Sequence, residues 1–469
     1  MNFNGKAMIP LFRDIVGKDR IFSEPEELIC YGYDATPIAF HAPDIVIKPK
    51  NSDQIYEIMK VVNAYKIPIV PRGTGSGLSG GSIPIKGGIV LPTTDMNKIL
   101  DIDKENLTIL VEPGVITSEI NDAVSSLGLF YPPDPASMKT CTIGGNVAEN
   151  SGGLRCLKYG VTGDYVLGLD MISGAGKRLS YGTGCMKDVA GYNMTKLMVG
   201  SEGTLGIFTK ILLKLVPLPE TKNTAVAFFA DMVDAARTVS DIIAAKILPA
   251  TLEFLDSTTI RCVEDFAKIG LPLDQEAMLL IETDGYEDIC KKEMGEIINI
   301  CRNNKATAVE EAKSEEDAER LTAARRMALS ALARVKPTTI LEDITVPRNK
   351  LPEMVKYIQI TANKYKLNIA TFGHAGDGNL HPTCLTNDQD KDELKRVDAA
   401  YEEIFKKAVS IGGTITGEHG TGIVKSKYLS LLATKNEIEI MKKIKSIFDP
   451  NMILNPGKIF YYENSKDSQ

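Results

Sequence analysis

Residues 71 to 81 read PRGTGSGLSGG and follow directly on the apolar run IPIVP. Gly75, Gly77 and Gly80 stand in GxGxxG spacing, which by itself is a weak signal. A dinucleotide-binding Rossmann turn must open a helix whose N-terminus meets the pyrophosphate. The continuation SIPIKGGIVLP, with its prolines and further glycines, cannot form one. No Gly-Lys-Ser/Thr follows, so a Walker loop is excluded as well. What remains is a loop whose backbone amides, unhindered by side chains, can converge on phosphate oxygens, with Arg72 as a charge beside them. The alternative is a tight turn between strands, which needs fewer glycines than this loop has. Two more stretches share its character: PPDPASMKTCTIGGNVAENSGG (132 to 153) and GSEGTLGIFT (200 to 209). Three such loops suit a long, flat, phosphate-bearing ligand.

Upstream of the first loop, DIVIKP, SDQIYEIMKVVNAYK and IPIVP read as strand, helix and strand, with Ser52 or Asp53 expected to cap the helix. Downstream come short strands (GGIVLP, LTILVEPG, YVLGLDMIS, GIFTKILLKLVPL) and one amphipathic helix near 117 to 127. The proline-bearing LVPLPETKNT then marks a boundary. Beyond it single strands (AVAFFA, ATLEFLD, AMLLIETDG) alternate with long helices, the pattern of an α+β domain whose sheet is covered on one face. The tail YLSLLATKNEIEIMKKIKSIFDP is expected to be one helix ended by Pro450, followed by an extended NMILNPGKIF.

The chain has only 4 histidines in 469 residues, and three of them fall in FGHAGDGNLH (372 to 381) and GEHG (417 to 420). The loop AGDGNL favours a tight reversal between NIATFG and LHPT, which brings His374 and His381 onto one face. Glu418 and His419 add a carboxylate and an imidazole, the groups that divalent metals and general bases draw on. A lone histidine is more often structural than functional, but packing alone gives no reason to gather imidazoles in glycine-rich loops. Neighbouring residues on a strand face opposite ways, so Glu418 and His419 can share a site only if the flanking glycines bend the chain.

The length suggests about three domain-sized units. A net charge of -7 without any basic block argues against nucleic acid as a partner. No apolar run reaches the ~18 to 20 residues of a membrane span, and the first twenty residues lack the apolar core of a signal peptide, so a cytoplasmic protein is expected. The 8 cysteines are scattered without CxxC, as in reduced intracellular thiols, and offer no framework for an iron-sulfur or zinc-thiolate centre.

Together these phrases, from YGYDATP (31 to 37) to NPGK (455 to 458), resemble the FAD-linked oxidases of the vanillyl-alcohol oxidase superfamily, in the branch of the glycolate oxidase D-subunit and D-lactate dehydrogenase. D-2-hydroxyglutarate dehydrogenase is a near relative. The resemblance implies an α+β protein: an N-terminal segment (1 to 37), a two-subdomain FAD-binding domain of the p-cresol methylhydroxylase (PCMH) type (38 to 217), a substrate or cap domain with an antiparallel sheet and helices (218 to 415), and a C-terminal segment (416 to 469) that returns to complete the active site and the FAD domain. The flavin residues it implies in the first loop are Arg72, Gly73, Gly75, Ser76, Gly77 and Leu78. In the second they are Asp134, Ser137, Thr142, Gly144, Gly145, Ala148, Ser151 and Gly152, and further on Glu202, Gly206, Ile207 and Asn455. Covalent members can carry a histidine near the first loop. Here Ser76 and small neighbours stand there, so non-covalent FAD is implied and His41 is read as structural.

By the same resemblance His374, His381 and Glu418 hold one divalent metal (Zn, Fe or Mn) and His419 is the catalytic base. LTAARRMAL resembles the family's arginine motif with Thr322 in place of tryptophan, which makes Arg325, rather than Arg326, the residue that grips the substrate carboxylate. Thr383 stands where hydroxyglutarate enzymes carry asparagine, which favours D-lactate or glycolate over D-2-hydroxyglutarate. Nothing reads as a nicotinamide or iron-sulfur site, so electrons are expected to pass to a partner, an electron-transfer flavoprotein or an iron-sulfur subunit; a homodimer is compatible with the sequence. Two other classes stay open: a hydrolase using the His/His/Glu set alone, and a non-catalytic flavin electron-transfer subunit.

Overall fold

The computed structural model describes residues 5–461, so the ends of the N- and C-terminal segments lie outside the described residues. The chain forms two compact units: one of residues up to 151, 161–218 and from 418 onward, the other of 152–160 and 219–417.

In the first unit a four-stranded sheet runs in the order Ile21–Phe22, Ile45–Ile47, Ile89–Pro92, Ile69–Arg72. The last three strands are parallel, and the helix Ser52–Tyr65 is the crossover between Ile45–Ile47 and Ile69–Arg72. Its cap is Asn51, one residue before the expected Ser52 or Asp53: Asn51 is extended (φ -161°) and its side chain accepts the Gln54 amide at 3.0 Å. Ile55, Ile58, Met59 and Val62 recur at helical spacing and are buried in the core with Ile45, Ile47, Ile69 and Ile89, each contributing about 1.5–3 kcal/mol. The crossover delivers the chain to the first glycine loop at the carboxyl end of a parallel strand, where open α/β sheets bind ligands. A five-stranded antiparallel sheet, in the order Ile99–Asp103, Thr108–Val111, Gly206–Lys214, Val166–Ser173, Arg178–Gly182, completes the unit's framework.

The tail differs from the single helix expected. Ser426–Leu431 is a 3-10 helix, and the α-helix spans only Lys435–Phe448, because Thr434 and Glu437 form a reciprocal capping box that starts it there. After it, Asp449 accepts from Lys445 Nζ (2.5 Å) and the Leu454 amide (2.8 Å), and Leu454 bridges to Ile69 in parallel. Asn455 is thereby fixed beside the strand that leads into the first glycine loop.

The second unit is built on an antiparallel sheet in the order Ala306–Glu311, Thr221–Phe229, Ala277–Gly285, Thr251–Asp256, Asn368–Gly373, Asn379–Thr386, Thr338–Leu341. The helix Glu315–Leu332 lays Leu321, Ala324, Ala328 and Leu332 on Leu255, Leu280 and Phe372. The expected hairpin joins Asn368–Gly373 to Asn379–Thr386 with Phe372 opposite His381. Gly378 turns it with φ +80°, and a Cβ there would collide with the Val346 carbonyl, whose own amide donates to the Gly378 oxygen at 2.9 Å. Gly378→Ala is therefore expected to lower unfolding free energy by about 1–3 kcal/mol, read from denaturant midpoints; an unchanged midpoint would refute the need for glycine here. No helix among the described residues is long and apolar enough to cross a membrane.

Candidate active site

In the first unit the glycine loops make a polar cradle. A Cβ on Gly73 would collide with Thr142 Oγ1, and one on Gly75 (φ +81°) with the Arg72 guanidinium, so side chains are excluded where the loops lie closest. Arg72 is buried, donates to Ser82 Oγ at 3.0 Å and lies 5.9 Å over the Tyr31 ring. Thr142 caps the helix Ile143–Glu149 by accepting the Gly145 amide, and Gly144 packs on Pro113. Among the described residues Ser79 Oγ, Glu149 Oε2, Ser201 Oγ and Asn455 Oδ1 are buried without a hydrogen-bond partner. Buried polar atoms without partners are rare unless a ligand supplies them, so this surface fits an extended polar cofactor such as FAD.

Charges gather in the same unit. Burial pushes the Asp34 carboxyl up to about 6 despite the Thr36 amide and the Arg72 charge, and burial pulls Lys458 down to about 8 against the attraction of Asp34, Glu202 and Glu149. Burial and the Glu202 charge together hold Glu149 well above the usual carboxylate range.

Several sequence-inferred flavin residues have structural work visible here. Glu202 accepts the Thr421 and Gly422 amides at 2.8 and 2.6 Å, Asn455 Nδ2 donates to the Gly81 and Glu202 carbonyls at 2.9 and 2.8 Å, and the Ile207 side chain is in the core. Asp134 is buried, Ser137 accepts turn hydrogen bonds from Thr140 and Cys141, and the Ala148 carbonyl accepts the Glu202 amide. The Gly77 carbonyl accepts the Ala35 amide, between the half-buried Ser76 and Leu78. The Ser151 carbonyl accepts from Thr162, a Cβ on Gly206 would strike Met171, and Gly152 counts with the second unit. His41 is exposed, its Nδ1 2.9 Å from the Ala42 carbonyl.

In the second unit the hairpin sets the His374 and His381 rings 5.2 Å apart at right angles, both buried. His374 Nδ1 lies 2.8 Å from Glu253 Oε1, and Arg325 Nε donates to Glu253 Oε2 at 2.5 Å. The Arg325 guanidinium stacks 4.8 Å over Phe372, whose ring is also 5.5 Å from that of His381. Arg325 is buried while Arg326 is exposed, which separates the two arginines of the motif; Thr322 is buried and bonds back to the Glu319 carbonyl. Thr383 is fully buried and its hydroxyl donates to the His381 carbonyl at 3.1 Å. Burial acts to raise the Glu253 carboxyl, but the adjacent His374 and Arg325 outweigh it and hold Glu253 below the usual range.

Asp343 fixes the segment that ends at Gly417. It accepts from Asn379 Nδ2, and the Thr416 hydroxyl and Gly417 amide both donate to its Oδ2 at 2.8 Å. Glu418 is the following residue. The two imidazoles, joined by a carboxylate such as that of Glu418, would make a donor set for a divalent ion with an open coordination position. The chain bends at Gly417, Glu418 and His419, and Gly420 has φ +84°, so the strand alternation that would separate Glu418 from His419 does not apply; His419 Nε2 lies 3.8 Å from Glu418 Oε1.

Glu253 and Asp343 escaped the sequence reading. The signal for Glu253 is an acidic residue set between Leu252 and Phe254 in the middle of the strand TLEFLD, where every position is buried.

A family model described as "FAD binding domain" matches residues 43–182, and one described as "FAD linked oxidases, C-terminal domain" matches 218–459. The chain is 57% identical over 432 residues to the glycolate oxidase subunit GlcD of Bacillus subtilis, covering 92% of each. It is 34% identical to a D-lactate dehydrogenase of Anaerostipes hadrus, over 97% of each chain. The fold is that of p-cresol methylhydroxylase with bound substrate: TM-score 0.81 at 17% identity, over 98% of this chain and 97% of the other.

Proposed function

The chain belongs to the FAD-linked oxidases and is an oxidoreductase, and from that premise we propose that it oxidises a small 2-hydroxy acid, D-lactate or glycolate, to the 2-oxo acid. The observation that carries this reading is Glu253, which holds the Arg325 guanidinium and the His374 imidazole on its two oxygens, at 2.5 and 2.8 Å. A 2-hydroxy acid presents a carboxylate and an adjacent hydroxyl, which such a pair can engage together. The names of the relatives quoted above support the same substrate class.

Oxidation removes a hydroxyl proton and a hydride from one carbon. FAD, when bound, supplies the hydride acceptor at N5. His374, His381 and Glu418 would hold a divalent ion, which would supply Lewis acidity that makes the hydroxyl proton easier to remove. Arg325 binds the carboxylate through its terminal nitrogens, since Nε is committed to Glu253. His419 takes the hydroxyl proton. Reduced flavin then needs an acceptor, and a subunit or electron-transfer flavoprotein is the proposed destination; the word "subunit" in the name of the Bacillus relative supports the first.

Anaerobic titration of the purified yellow protein with glycolate, D-lactate, L-lactate and D-2-hydroxyglutarate tests the reading. Flavin bleaching by glycolate or D-lactate is expected, with D-2-hydroxyglutarate poorer because Thr383 replaces asparagine. A flavin that stays oxidised with all four acids overturns the reading in favour of a non-catalytic electron carrier, and a colourless metalloprotein overturns it in favour of a hydrolase.

A further inference from the structure

We propose that Glu253 is a shared positioning residue, fixing His374 in the tautomer that can ligate a metal and fixing Arg325 in the orientation that can receive a carboxylate. The proposal rests on the reading of His374 and Arg325 given above. An ionised carboxylate in the middle of a fully buried strand is costly to desolvate, and it persists only when both oxygens are satisfied. Glu253 meets that condition with one partner on each oxygen. Because a carboxylate only accepts, and Arg325 only donates, His374 Nδ1 must carry the proton. Its Nε2 is then the lone pair available to a metal, the arrangement by which carboxylates orient metal-binding histidines. The same charge pulls on Arg325 Nε while Phe372 supports the guanidinium face, which directs the two terminal nitrogens to an incoming ligand. Metal affinity and carboxylate recognition thus share one anchor.

Glu253→Gln separates the two roles. Arg325 cannot accept, so the amide oxygen turns to it and the amide NH2 faces His374 Nδ1, which forces the proton onto Nε2 and opposes metal binding. Cobalt(II) titration of the chelator-stripped, FAD-loaded protein, followed by visible ligand-field absorption without substrate, reads this directly. A 10- to 100-fold weaker cobalt affinity is expected, with FAD content unchanged and, at saturating metal, a KM for the hydroxy acid raised less than in Glu253→Ala, which loses both anchors. Glu253→Asp keeps two acceptor oxygens on a shorter stem and should recover part of the affinity; if Glu253→Gln does not fold, this variant's affinity against wild type decides. Wild-type cobalt affinity in the folded variant overturns the proposal. A wild-type protein that binds no cobalt, or a His374→Ala protein that binds it equally well, overturns instead the metal reading on which it rests.

Discussion

His419→Ala is expected to remain yellow and to lose flavin reduction by its hydroxy acid substrate by a factor of about 10²–10⁴, the range over which a positioned general base acts. Retention of FAD follows from how the segment is anchored. The loop after His419 is held by its backbone, through the Thr421 and Gly422 amides on Glu202, and removal of an imidazole leaves those bonds in place. Loss of reduction follows from the alternatives for a base. Glu418 is assigned to the metal, and His374 and His381 are buried with His374 already bonded to Glu253. Arg325 is a hydrogen-bond donor without an acceptor site and cannot serve. The measurement is the anaerobic rate of flavin bleaching in a stopped-flow mixer at saturating substrate. A wild-type rate in His419→Ala would remove His419 from the chemistry, and loss of FAD from the variant would show that the imidazole is structural.

The parts of this molecule legible in the sequence are those set by local chemistry. The hairpin carrying His374 and His381 could be read because its turn residues and flanking strands announce themselves in adjacent positions, and the structure pairs Phe372 with His381 as that reading requires. The failure of the Rossmann reading at 71 to 81 was equally local, since prolines and glycines forbid the helix. Asn51 was missed as a cap in favour of its neighbours because Ser52 and Asp53 are equally competent by type, and only the extended backbone at Asn51 decides. The tail helix was drawn too long because apolar spacing continues through 428 to 433, whereas the Thr434 capping box fixes the start. Glu253 lies 121 residues from His374 and 72 from Arg325. Its role is created by the sheet order that sets Thr251–Asp256 beside Asn368–Gly373, with nothing in its own neighbourhood to mark it beyond a charge between Leu252 and Phe254 in a buried strand. The same is true of Glu202, a flavin residue by motif whose carboxylate holds the amides of Thr421 and Gly422, 219 and 220 residues away.

Removal of the metal should be as damaging as removal of the base, and for a separable reason. The hydroxyl of a 2-hydroxy acid is a poor acid in water, and a neutral imidazole cannot take its proton at a useful rate unless a cation on the oxygen lowers its pKa; such Lewis-acid stabilisation is worth several kcal/mol, or on the order of 10³ in rate. Chelator-treated protein is therefore expected to keep its flavin, because the glycine loops use none of the metal's ligands, and to bleach about 10³-fold more slowly with substrate. Adding back zinc or manganese should restore bleaching in the wild type but not in His381→Ala, whose missing imidazole leaves two ligands. The His381→Ala change also removes a ring that sits 5.5 Å from Phe372, the support beneath Arg325, so its KM should rise along with the fall in kcat, whereas chelation of the wild type leaves Arg325 supported. That difference distinguishes loss of the ion from loss of packing. Full-speed bleaching by a protein shown to be metal-free would leave His374, His381 and Glu418 as a polar cluster without a metal, and would pass the task of activating the hydroxyl to Arg325 and His419 alone.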